Sequence, residues 1–136
     1  MAKRWIQSAD VAIDEATGEW LVRTGGAITV QRAKIDCDSD AGVGNELVAA
    51  VAGERICVLA CCLMAADAVN ATFYSGPADT GTAVSGPMPL GANGGFVLDA
   101  PADPAMHAME TAEGEALTIG LDAAVQVSGW LLWYEA

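Results

Sequence analysis

The chain has 136 residues, 53% of them hydrophobic and 18% charged, with a formal net charge of −12. That balance excludes disorder, which needs low hydrophobicity, and fits one domain burying roughly two thirds of its unfolded surface. All six cations lie in residues 1–55, while residues 56–136 carry nine acids and no Lys or Arg, a distribution that repels nucleic acid and anionic membranes.

Residues 1–27 mix charges, glycine and two tryptophans without clear periodicity, and Thr24-Gly25-Gly26 reads as a turn. The segment is expected to be an N-terminal arm or an extra edge strand. Lys3 and Arg4 precede a stretch interrupted by Gln7, Ser8 and Asp10, so no secretory leader is expected. From Ala27 the pattern turns strand-like through Ile35, and an acidic, glycine-containing loop follows from Asp36 to Asn45. Leu47 to Val51 is a further candidate strand, closed by a Gly53-Glu54 turn.

Arg55 to Ala65 is apolar on both faces, with Cys57, Leu59, Cys61 and Leu63 on one and Ile56, Val58, Ala60, Cys62 and Met64 on the other. This suits a central strand buried on both sides, although its Ala, Leu and Met also favour a buried helix. At 11 residues, the run Ile56 to Ala66 is far short of the ~20 that cross a bilayer, so a soluble protein is expected. Asp67 to Asn70 turns the chain and Ala71 to Ser75 returns as a strand. Two prolines in Gly86-Pro87-Met88-Pro89 forbid helix, and Asn93-Gly94-Gly95 marks a turn before the strand Phe96 to Leu98.

A loop spans Asp99 to Pro104. Leu117, Ile119 and Leu121 then alternate with small residues, and after a turn at Asp122 to Ala124 the last strand runs from Val125 to Tyr134. In that strand Val125, Val127, Leu131 and Trp133 share one face, and Trp130, Leu132 and Tyr134 the other. Short strands recurring every ~8–12 residues argue for an antiparallel sandwich or barrel, with about eight strands in residues 28–136.

The chemistry-bearing residues are sparse. Cys37, Cys57, Cys61 and Cys62 make no CxxC pair and no zinc-ribbon spacing, so they read as small buried hydrophobes. Neighbours Cys61 and Cys62 point to opposite faces of a strand, which disfavours a bridge. Asp36, Asp38 and Asp40 open like a calcium loop, but Ala41 stands where glycine is needed and Leu47 where a bidentate glutamate is needed. The single histidine, His107, sits in no recognisable nucleophile motif and reads as a loop or edge residue. Glu113 and Glu115 are placed on one strand face, without an evident substrate cleft for hydrolysis. No catalytic, cofactor or metal residue is therefore assigned. The aromatic end of the chain is the better lead: Trp130, Leu132, Trp133 and Tyr134 are candidate interface anchors.

The succession Glu46-Leu47-Val48-Ala49-Ala50-Val51-Ala52-Gly53, Phe73-Tyr74-Ser75-Gly76, Gly86-Pro87-Met88-Pro89-Leu90-Gly91-Ala92-Asn93-Gly94-Gly95, Glu110-Thr111-Ala112-Glu113-Gly114-Glu115-Ala116-Leu117 and Val125-Gln126-Val127-Ser128-Gly129 resembles small structural proteins of tailed bacteriophages. The likeness covers residues 40–136 and consists of turn and strand patterns. It implies an all-β, jelly-roll-like sandwich, a homotrimer that decorates and cements the outside of the phage head, and the major capsid protein as partner. It implies no enzyme activity, cofactor, nucleic acid or membrane. It places the protein on the virion exterior after synthesis in a bacterial cytoplasm. Lys3, Arg4, Arg23, Arg32 and Lys34 would then face an acidic capsid surface. A fibre, knob or receptor-binding module of the same phage class is the alternative, with exposed Trp and Tyr stacking on sugars, and a small hydrolase using His107 or an acid pair is the remote one.

Overall fold

A computed structural model describes residues 11–13, 20–22, 28–38 and 45–136. Strands β1 (Val11–Ile13) and β2 (Trp20–Val22) pair antiparallel as a separate two-stranded sheet. The rest of residues 1–27, with Lys3, Arg4 and Arg23, lies outside the described residues, as does most of the acidic loop after Asp38.

Residues 28–136 form a sandwich of two antiparallel sheets. Its strands are β3 (Gln31–Cys37), β4 (Glu46–Val48), β5 (Ile56–Ala65), β6 (Val69–Ser75), β7 (Thr82–Ala83), β8 (Met88–Leu90), β9 (Gly95–Leu98), β10 (Met109–Glu110), β11 (Leu117–Leu121) and β12 (Val127–Glu135). The first sheet runs β3-β12-β5, and both β9 and β10 pair with the far edge of β5. The second runs β4-β11-β6, with β7 and β8 sharing the far edge of β6. If β7/β8 and β9/β10 each count as one interrupted strand, the eight strands form two four-stranded sheets, β3-β12-β5-β9/β10 and β4-β11-β6-β7/β8, in the double Greek-key order of a jelly roll. The interruptions explain why ten strands appear where about eight were expected. Pro87, which cannot donate to a ladder, lies in the gap between β7 and β8, and Pro89 is tolerated in β8 because that strand is on the sheet edge.

The core lies between the sheets and includes Ile35, Val58, Leu63, Phe73, Ile119, Leu131 and Trp133. Burial of β5 along nearly its whole length fits a strand and not the alternative helix, because each edge finds hydrogen-bonding partners. The assignment of its faces needs correction. Trp133 pairs with Val58 but Leu132 with Ala60, so Leu59 has no partner of its own. This bulge resets the alternation. Ile56 and Val58 face the core before it, and Cys61, Leu63 and Ala65 after it, whereas Cys57, Leu59 and Tyr134 cluster on the outside.

The outer surfaces of the two sheets differ. Every residue of β11 is buried, including Thr118 and Gly120, which alternate with its large apolar residues. The loop after β6 folds over them: Thr118 Oγ1 donates to the Gly76 carbonyl at 2.7 Å, and a side chain at Gly120 would collide with Asp79 and Tyr74. Among the described residues nothing equivalent covers the middle of the first sheet.

Candidate functional site

Cross-strand partners point to the same side of a sheet, so the register gives the composition of that uncovered face. One row runs from Lys34 on β3 through Trp130 on β12 and Cys62 on β5 to Val97 on β9. Asp36, Ser128 and Met64 form the next row, and Arg32 and Leu132 begin the one on the other side. Met64 is 57% exposed, Val97 65% and Trp130 39%. These large apolar groups are contiguous, and contiguity distinguishes a patch from scattered surface hydrophobes.

The sequence analysis singled out two sets of residues, the aromatic anchors and, through the resemblance, the capsid-facing cations. The structure brings part of each together: Arg32 is opposite Leu132 and Lys34 opposite Trp130. Lys34 Nζ donates to Asp36 Oδ2 at 2.7 Å, an exchange that holds the lysine above its ordinary pKa and the aspartate below its own. Gln126 also donates to Asp36, at 2.9 Å. Both carboxylate oxygens of Asp36 are thus engaged by side chains, one by Lys34 and one by Gln126, while Asp40 lies outside the described residues.

Two of the four proposed anchors are elsewhere. Trp133 points inward and is 7% exposed, as part of the sandwich core. Tyr134 points outward but is covered by the segment between β9 and β10, and it packs with Cys57 and Leu59 while Leu132 and Ile28 flank the cluster. Trp130 and Leu132 remain on the face. The alternation of β12 explains the division: Val127, Leu131 and Trp133 face the core together, as the sequence grouped them, while Trp130, Leu132 and Tyr134 face outward.

The covering segment carries His107. A short 3-10 turn, Pro104–Met106, is started by Asp103, whose carboxylate accepts from Ala105 N at 2.9 Å. The turn delivers His107 over the row Glu110–Cys57–Tyr134, which spans β10, β5 and β12. His107 Nδ1 lies 3.0 Å from Tyr134 Oη, and its Nε2 lies 3.1 Å from Glu110 Oε2. Tyr134 Oη donates to the Pro104 carbonyl at 2.9 Å. Arg55 holds the other carboxylate oxygen of Glu110 at 3.4 Å. His107 is therefore a member of a hydrogen-bonded cluster and not an isolated loop residue.

As a nucleophile, Cys57 is poorly disposed. It is 1% exposed, and burial pushes its thiol up, opposed in part by the Tyr134 hydroxyl, whereas reactive cysteines are exposed and acidified. Cys37 and Cys61 are likewise raised by burial, Cys61 to about 11. All four cysteines are free thiols. The acid pair separates: Glu115 accepts from the buried Ser75 hydroxyl, while Glu113 is exposed in the turn before β11, so the two do not share a strand face. Sequence reasoning missed Cys62, Met64 and Val97 as parts of the exposed face, and Cys57 and Glu110 as neighbours of His107. Each depends on strand register over long separations, which has no local signature. No helix among the described residues is long and apolar enough to cross a membrane. No family model matches the chain, and neither a curated protein nor a solved structure matches it.

Proposed function

We propose that the chain is a structural protein of a tailed-bacteriophage particle, a decoration protein that binds the outside of the head and stabilises it. The observation that carries this reading is the uncovered outer face of the first sheet. There Trp130, Val97 and Met64 form an apolar centre, and Arg32 and Lys34 line one edge. Apolar centre and polar rim are the usual anatomy of a protein–protein contact. The cationic edge in a chain of net charge −12 suits an acidic protein partner, and it repels neither a shell subunit nor the acidic side of a second copy. The jelly-roll strand order and the sequence resemblance agree with this role, and the resemblance implies assembly into a trimer. A cement protein stabilises by binding only the assembled lattice, and many symmetric contacts add through effective concentration.

The receptor-binding alternative has less support. It calls for stacked, accessible aromatics, and of the C-terminal set only Trp130 is open, since Trp133 and Tyr134 are buried. The test is peptide mass spectrometry and antibody labelling of purified particles of the phage that encodes the chain. Labelling over the whole head surface is the expected result. Absence from the particle removes the proposal, and labelling confined to the tail tip replaces it with the receptor-binding reading.

A further inference from the structure

The hydrogen bonds around His107 do not close without a cation. Tyr134 has one hydroxyl proton, and it goes to the Pro104 carbonyl. In the contact between Tyr134 Oη and His107 Nδ1 the ring nitrogen is then the donor. In a neutral imidazole this tautomer leaves a lone pair on Nε2, which lies 3.1 Å from Glu110 Oε2. Two acceptors at that distance repel unless a proton or a metal ion sits between them.

A third donor is already present. Cys57 is the cross-strand neighbour of both Glu110 and Tyr134, beneath the imidazole, and one ligand atom from each of Cys57, His107 and Glu110 lies within 4.8 Å of the others. Ligands of a tetrahedral zinc ion, at bonds of about 2.0–2.3 Å, are roughly 3–4 Å apart. We infer that Cys57 Sγ, His107 Nε2 and Glu110 Oε2 form a binding site for a zinc-class divalent ion, with water in the fourth position.

Thiolate, imidazole and carboxylate together suit zinc and disfavour magnesium and calcium, which take oxygen ligands. The outer shell is built as metal sites require. The chain Nδ1–H to Tyr134 to the Pro104 carbonyl fixes the ring and its tautomer. Arg55 engages Glu110 through Oε1 and leaves Oε2 to the ion. On binding, the Cys57 thiol releases its proton to solvent and the thiolate takes the metal. The ion ties the segment from Pro104 to Glu110 onto β5, and so fixes the cover over one end of the outer face. This inference is independent of the phage role.

The test uses the full chain, freed of metal by a chelator and titrated with Co2+ as a spectroscopic probe. One equivalent should bind, with a sulfur-to-cobalt charge-transfer band and the intense visible bands of tetrahedral cobalt, and Zn2+ should bleach both. Cys57→Ser should abolish the charge-transfer band, and His107→Ala and Glu110→Gln should each weaken binding by at least about tenfold. Cys62→Ser, which removes the most accessible of the four thiols, should leave the spectrum unchanged. Because Cys57→Ser alters a buried position, thermal melting supplies a second readout: Zn2+ should raise the midpoint of the wild-type chain and not that of His107→Ala. A missing charge-transfer band, a band that survives Cys57→Ser, or equal Zn2+ shifts in wild type and His107→Ala would each overturn the site.

Discussion

Single residues decide how closely the strands of the first sheet approach. Gly129 on β12 and Gly95 on β9 flank β5 from opposite edges. A Cβ at Gly129 would stand 1.9 Å from the Cys62 carbonyl oxygen, and one at Gly95 would stand 1.9 Å from that of Leu63. Backbone atoms on a doubly paired strand cannot yield cheaply, so Gly129→Ala and Gly95→Ala should each destabilise the fold by about 2–4 kcal/mol in urea melts. Thr111 is another such position: its buried hydroxyl accepts from Ile56 N at 3.0 Å. Thr111→Val keeps the shape and orphans that amide, which should cost about 1–3 kcal/mol. Cys61 links stability to alkali. Its thiol titrates near 11 in the fold against an ordinary 9.0. As pH rises past 9 the unfolded chain loses this proton first, so stability falls through the window up to about 11, by on the order of 2 kcal/mol at its end. Urea melts across that range should show the decline, and Cys61→Ala should flatten it. None of these interactions was legible in the sequence except the burial of Cys61, which the apolar run around it announced.

At the scale of elements, patterning predicted well where one side of a strand meets water or where turns are chemically marked. β9 and β11 lie where alternation and flanking turn residues placed them. The turns at Gly53 and Asn93 follow from backbone demand, since both residues have positive φ, 77° and 57°. Prediction failed where tertiary contacts override period two. The bulge at Leu59 switches the faces of β5 partway along the strand. The loop over β11 buries its outward residues as well. The two-residue strand β10 had no visible pattern at all, although its register with β5 is what sets Glu110 beside Cys57. The exposed row of Trp130, Cys62 and Val97 gives a prediction at this scale. The double variant Trp130→Ser with Val97→Asp should fold as the wild type does, because both side chains face outward. It should lose self-association in light scattering, or occupancy on the particle, by more than tenfold if those residues are central anchors.

For the molecule as a whole, the all-β class was legible from the spacing of strands and turns, while the order of strands within the sheets was not. The jelly roll pairs segments distant in sequence, such as Val127 with Cys37 and Glu135 with Ile56. No local pattern encodes those distances, and pairings of this kind make folding slow. Of the described strands, β12 occupies the most consequential place, since it follows all the others in sequence yet lies between β3 and β5. During synthesis both of those strands emerge long before the partner they share. Until β12 has left the ribosome, β3 and β5 each present an open edge, the state in which nascent sheets cross-pair with other molecules. A premature stop before Val127 should therefore yield aggregate and not a smaller soluble protein, and the yield of intact chain in a cell should depend on how well chaperones shelter that interval.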